Sequence, residues 1–192
     1  MGCLSSKSSK PGSSGGSKKK LVEACGEGDV SAVKAALDRG EPVDSTDFSY
    51  RTGLMEAAGG NFVDVAQLLI SRGANVNMVN KNGRSNALHC CVGRHDDPRV
   101  SKVLVDAGID VNAQESMHGM VGKTPLSLAA SKGRKAQVEY LVSLPACDLG
   151  KTGSAGKTAA DTAEDAGYPD IAAIIRAAEV RARVCLVFEL FV

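Results

Sequence analysis

The chain has 192 residues, 43% of them hydrophobic, which suffices for one domain with a core and short tails. Aromatics are 4% and Trp is absent, so the core must come from Ala, Val, Leu and Ile, as suits small, close-packed helices. A net charge of +1 excludes a field that draws the whole protein to nucleic acid, and no apolar run reaches the roughly 20 residues of a membrane-crossing helix.

Residues 1–17 read as a disordered Gly/Ser/Lys tail that cannot bury a core. The tail lacks the apolar stretch of a secretory signal. Its start matches the pattern M-G-x-x-x-S/T, with Gly2 as N-myristoyl acceptor and Ser6 in the required place. Cys3 is placed for S-palmitoylation. One myristoyl chain holds a membrane only weakly, at about 10⁴ M⁻¹, so stable anchoring needs a second signal. Cys3 offers one. Lys7, Lys10, Lys18, Lys19 and Lys20, with no acid among the first 20 residues, offer another. Each such lysine near an anionic leaflet adds about 1 kcal/mol. The expected place is the cytosolic face of a membrane, the plasma membrane first, and otherwise the cytoplasm. A solubilising start with a chance Met-Gly stays open.

The six cysteines are irregularly spaced, with neither a CxxC pair nor a zinc-type Cys/His set, so reduced thiols and no metal are expected. From residue 18 the chain turns periodic. Leu21, Ala24, Val33 and Leu37 form one helix pair with a polar outer side, as a terminal unit requires. Leu54, Ala57 and Ala58 give the next short helix, and Val65, Leu68, Leu69 and Ile70 its partner, at i, i+3, i+4 spacing. Gly73 then stops the helix. Neither helix is long enough to fold alone, so the pair needs neighbours. Equivalent helix stops fall at Gly40, Gly73, Gly108 and Ala146, which repeats the unit every 33 to 38 residues. The last pair carries Pro169 in its opening turn, followed by Ile171, Ile174 and Ile175.

Four helix openings align: Thr52-Gly53-Leu54-Met55-Glu56-Ala57, Asn86-Ala87-Leu88-His89-Cys90-Cys91, Thr124-Pro125-Leu126-Ser127-Leu128-Ala129 and Thr158-Ala159-Ala160-Asp161-Thr162-Ala163. Two turns align with them, Gly73-Ala74-Asn75-Val76-Asn77 and Gly108-Ile109-Asp110-Val111-Asn112. Over 18–178 the pattern resembles the ankyrin repeat, with its T-P-L-H-x-A and G-A-D-V-N motifs. The resemblance implies an all-α ankyrin-repeat solenoid of about five helix-pair units with β-hairpin-like fingers, at 18–46, 47–79, 80–112, 113–147 and 148–178. It also implies that His89 bonds main chain within and between repeats, and that a protein partner is held by the fingers and the concave helix face. A monomer without cofactor or nucleic acid is expected.

Three segments depart from the repeat. The finger at 44–51 carries Phe48, Tyr50 and Arg51, residue types enriched at interface hot spots. The finger at 113–123 is several residues too long and carries Met117, His118 and Met120, where methionine suits an adaptable contact. The loop at 93–99 is about one residue long for its place. GSAGKT at 153–158 and GMVGKT at 119–124 end like phosphate loops, yet Lys151 and Met117 stand where that motif needs its first glycine. Both runs fall where the repeat opens a helix. An apolar extension, 179–192, closes the chain; packing on the last repeat is preferred over a strand, a membrane contact or groove binding of Leu190-Phe191-Val192.

The expected function is a membrane-tethered adaptor or scaffold. A soluble inhibitor or regulator is the alternative. No nucleophile, base and orienting group fall together, so an enzyme is not expected.

Overall fold

The computed structural model describes residues 20–117, 120–153 and 156–189, without the side chains of Met117, Met120, Val121 and 185–189. Gly2, Cys3, Lys7, Lys10, Lys18, Lys19, His118 and the terminal 190–192 lie outside the described residues.

Ten helices among the described residues form five pairs. They are α1 (Leu21–Glu27) with α2 (Val30–Asp38), α3 (Gly53–Gly59) with α4 (Val63–Ser71), and α5 (Ala87–Arg94) with α6 (Arg99–Asp106). The rest are α7 (Pro125–Ser131) with α8 (Lys135–Val142), and α9 (Ala159–Asp165) with α10 (Pro169–Glu189). The first helix of each pair packs on the first helix of the next, giving a row α1–α3–α5–α7–α9. The second helices form a parallel outer row. This is an all-α repeat solenoid.

The helix starts follow from their capping residues. Thr52, Asn86, Thr124 and Thr158 are extended, and each side chain accepts the N–H three residues on. Pro125 sits in the first turn of α7, where its missing N–H costs nothing. Gly40, Gly73 and Gly108 follow three outer helices with φ near +85°, at +86°, +84° and +84°. Ala146 takes no left-handed conformation; the chain leaves α8 earlier, at Ser143, and Pro145 and Ala146 form a turn closed by Cys147 N donating to Leu144 O.

The core is a seam of small and branched residues. Leu54, Leu88 and Leu126 with their neighbouring alanines come from the inner row, and Val33, Val65, Leu69, Val100, Leu104, Val138, Leu141, Ile171 and Ile175 from the outer row. All are buried. Alanines at the inner contacts let helices approach closely, which explains a core without tryptophan.

Gly53 shows how tightly adjacent repeats fit. A methyl group there would lie 2.8 Å from Cys25 Sγ and 3.7 Å from Leu69 Cδ1. The motif position that holds Pro125 in the fourth repeat is therefore glycine in the second, because the thiol of the preceding repeat fills the space. Gly53→Ala is expected to destabilise by about 1–3 kcal/mol through overpacking. In the Cys25→Ala background the same change should cost little or stabilise. Chemical melts of the two single variants and the double variant measure the coupling, and additive losses would refute the steric account.

The helix α10 runs through position 178 without interruption. The extension thus begins as a continuation of the last outer helix. Burial ends at Ala178, while Val180 and Val184 are 60% and 49% exposed. For these residues the expected packing on the last repeat is corrected: α10, with 21 residues, outruns its neighbour α8, with 8, and no described helix covers Val180 and Val184.

Candidate partner-binding surface

The fingers are held from repeat to repeat by turn-motif asparagines. Asn77 Oδ1 accepts from Asp110 N at 2.8 Å, and its Nδ2 donates to Gly108 O at 3.1 Å. Asn112 repeats the arrangement, accepting from Asp148 N at 2.8 Å and donating to Ala146 O at 2.7 Å. Both bonds reach the next turn, so the last asparagine of each motif links two repeats.

The finger at 44–51 is a tight turn. Asp47 Oδ1 accepts from Ser49 N at 2.8 Å and from Arg51 N at 2.9 Å, and Thr46 bridges Thr52. Tyr50 takes φ +58°, a left-handed conformation that a tyrosine rarely adopts. The turn presents Phe48 at 98% exposure and Tyr50 at 44%. Lys81 Nζ stands 4.9 Å from the Tyr50 ring centroid. Asn82 Nδ2 donates to Ser49 O, tying this finger to the next.

Arg51 does not stand out with these aromatics. It turns inward, with Nε 2.7 Å from Glu56 Oε1 and Nη2 3.9 Å from Cys90 Sγ. Its side chain is mostly buried, so it shapes the floor of the concave face rather than a finger tip.

The long finger at 113–123 forms a short hairpin. Strands β1 (Ser116–Met117) and β2 (Met120–Val121) pair antiparallel, with Met117 opposite Met120. Ser116 N donates to Gly83 O and Ser85 Oγ to Glu115 Oε1, which dock the hairpin on the preceding finger. Both bonds tie the described part of the insertion to its neighbour.

His89 is buried within the third repeat. Its Nε2 is 3.1 Å from Lys123 O in the fourth, which joins the two repeats through the ring. Nδ1 lies 2.7 Å from Asn86 Oδ1 and 3.4 Å from Asn86 N, and Asn86 Oδ1 accepts from His89 N at 3.1 Å, so the ring and the amide form a reciprocal cap at the start of α5. Burial pushes this imidazole below its ordinary pKa, against opposing pulls from Glu115, Lys123 and Asp110. Its role is structural, as the motif implies.

The loop at 93–99 is a tie between repeats. His95 Nε2 lies 2.8 Å from Gly59 O, and Asn61 Nδ2 donates to Asp97 Oδ2 at 3.0 Å, both toward the second repeat. Toward the fourth, Asp96 Oδ1 accepts from Ala136 N at 2.9 Å, capping α8, whose own Arg134 supplies no side-chain cap. Gln137 Nε2 returns the link to Asp97 O at 2.9 Å, and its Oε1 accepts from Ser101 Oγ at 2.8 Å. Neither Asp96 nor Gln137 stood out in the sequence. The one-residue excess in the loop was the available signal.

Thr124 and Thr158 close the two GKT runs as helix caps, so both runs belong to the repeat register. Cys25, Cys90, Cys91 and Cys147 are free thiols with pKa values pushed up by burial, Cys25 to about 12 and Cys147 to about 11. Among the described residues no cluster of His, Cys, Asp and Glu could hold a metal ion, and no helix is long and apolar enough to cross a membrane.

Paired helices stacked in two rows, bonded asparagine turns and projecting fingers define the ankyrin-repeat solenoid. Residues 21–115 match the family model for ankyrin repeats in three copies, so the repeats are ankyrin repeats. The chain is 31% identical over 143 residues to the ankyrin repeat and KH domain-containing protein mask-1 of Caenorhabditis elegans, 72% of this chain and 5% of that protein. An ankyrin repeat and KH domain-containing protein of Caenorhabditis briggsae is 30% identical over 122 residues, 63% of this chain and 4% of its own length. The B-cell lymphoma 3 protein homolog of Mus musculus is 38% identical over 102 residues, 53% of this chain and 21% of its own. The chain thus spans only a small part of each relative. Ankyrin repeats imply protein–protein interaction, and the finger side is where this chain exposes side chains suited to it.

Proposed function

We propose that the protein is an adaptor that captures a protein partner on its fingers and concave face, held at the cytosolic face of a membrane by acylation of Gly2 and Cys3. The observation that carries partner capture is Phe48: a bulky apolar side chain, 98% exposed, on a turn fixed by Asp47. Exposed phenylalanine gains nothing for the fold and offers a rigid anchor to a partner. The tether rests on the order of Gly2, Cys3, Ser6 and Lys7 and on the lysines up to Lys20. Lys20 enters α1 at one end of the solenoid, so the tail attaches away from the middle of the concave face. Without acylation, the same domain serves as a soluble regulator.

Two variants separate the parts. Phe48→Ala is expected to reduce partner recovery in proximity labelling by about tenfold or more, as hot-spot truncations do, while the melting temperature stays within about 1 °C. Gly2→Ala is expected to move the protein from the membrane fraction to the soluble fraction. Unchanged fractionation removes the tether and leaves the soluble regulator; unchanged partner recovery with Phe48→Ala removes the finger as the contact.

A further inference from the structure

The middle of the concave face carries an excess of positive charge. Lys81 and Arg84 are on the third finger, Lys123 precedes the cap of α7, and Arg94 and Lys132 stand eight residues after the caps Asn86 and Thr124. None of these five makes an ion pair among the described residues; Lys123 donates only to Ser131 Oγ, and Lys81 rests on Tyr50. Three carboxylates stand nearby, fewer than the cations, and each already accepts within the domain. Glu56 pairs with Arg51, Glu115 accepts from Ser85, and Asp47 holds its own turn. On or beside the outer row, Arg72, Arg99, Lys135 and Arg176 have carboxylate partners, and the described cations without one, such as Lys34 on α2 and Lys102 on α6, stand apart from one another along the row.

The excess has a focus. Arg94 Nη1 and Arg51 Nη2 lie 3.0 and 3.4 Å from the point where a Cβ on Gly59 would stand. Two guanidinium groups therefore converge over one glycine, with Glu56 offsetting only one of them. Beside them is a depression of about 230 Å³ lined by both arginines, Asn80, Ser85, His89, Cys90, Gly93 and Glu115, whose carboxylate accepts from Ser85 Oγ. Arg94 has no ion-pair partner among the described residues, so an incoming anion seated between the two guanidinium groups gains a charge-assisted contact that Glu56 does not already supply.

We infer that this face binds an acidic segment of a protein partner, with a carboxylate seated between Arg51 and Arg94. Further carboxylates follow the cations toward Lys132 and Arg84, and an apolar side chain of the segment meets Phe48 and Tyr50. The inference rests on the partner-capture reading and adds the chemistry of the partner. The arginines favour forked contact with carboxylate, and the lysines steer the approach. An anionic membrane is the less suitable occupant, because a curved inner face backed by projecting fingers meets a strand or helix better than a flat sheet of headgroups.

The test uses full-length protein carrying Gly2→Ala, so that acylation plays no part. The probe is a fluorescein-labelled peptide rich in Glu and Asp with a central Leu, followed by anisotropy. Binding is expected to weaken as salt rises and to fall about tenfold or more in Arg94→Glu/Lys132→Glu. Arg94→Gln/Lys132→Gln should fall in the same direction, and thermal melts establish that both variants are folded. Lys34→Glu, one such charge reversal at an exposed place on α2, should alter binding less than about twofold. Absence of peptide binding, or equal loss with Lys34→Glu, would overturn the inference. So would binding to phosphatidylserine vesicles but not peptide, lost in the double variant. Partner recovery in proximity labelling can survive any of these failures, which keeps the adaptor reading separate.

Discussion

Gln137→Leu is expected to lower stability by about 3–5 kcal/mol, the largest effect for a single polar residue in this protein. Leucine fits the space and keeps it apolar, so the cost lies in what the amide leaves behind. Gln137 is wholly buried. Its Nε2 donates to Asp97 O at 2.9 Å and His95 O at 3.3 Å, and its Oε1 accepts from Ser101 Oγ at 2.8 Å. Losing the amide strands two carbonyls and weakens the hold on a buried hydroxyl, at about 1–3 kcal/mol each. For a chain of this size the melting temperature should fall by about 10 °C. These bonds join the third repeat to the fourth, so the loss weakens an interface rather than a repeat. A solenoid weakened at one interface separates there, and the melt should broaden or split. Adding Ser101→Ala should recover about 1 kcal/mol, because the stranded hydroxyl is gone. A loss below about 1 kcal/mol for Gln137→Leu would show that the loop carbonyls find other partners.

The second large effect concerns His89. His89→Ala is expected to cost about 3 kcal/mol, combining a cavity, an opened reciprocal cap and the lost bond to Lys123 O. Its pH dependence gives a sharper test. The folded pKa is lowered, with burial the main cause, so between that value and the ordinary 6.5 the unfolded chain binds more protons. Stability is complete above about 6.5 and declines as pH falls toward the lowered folded value. The melting temperature should therefore drop between pH 7 and pH 5. His89→Gln retains a donor and an acceptor but does not titrate, so its melting temperature should vary less over that window even if it starts lower. Equal slopes in the two proteins would assign the dependence to other groups. Asp97 does not contribute there, since Arg99 and the other donors hold it at about 2.

The fold was legible because its determinants are local and recur. Thr52, Thr124 and Thr158 cap helices through their own side chains. Gly40, Gly73 and Gly108 supply backbone conformations that other residues avoid, and the apolar stripes keep helical period. His89 was legible for the same reason, since its bonds follow from its place in the motif. Arg51 was legible as a residue type but not in its place. As a residue type beside Phe48 and Tyr50 it reads as an exposed contact, yet Glu56, five residues on, draws it inward. The long finger was visible as excess length, but length alone does not say that Ser116 docks on Gly83.

What the sequence determined by itself is the repeat: element type, helix ends, the inward face of each helix and the order of units, all set by capping, φ preference and periodicity within about 33 residues. The tertiary structure decided what happens between units. It put Cys25 against Gly53, let Asp96 cap a helix it does not belong to, and brought Arg94 beside Arg51. Such contacts join positions tens of residues apart, and their energies depend on distances of a few ångströms that no spacing in the sequence encodes. The candidate partner surface is made of such contacts.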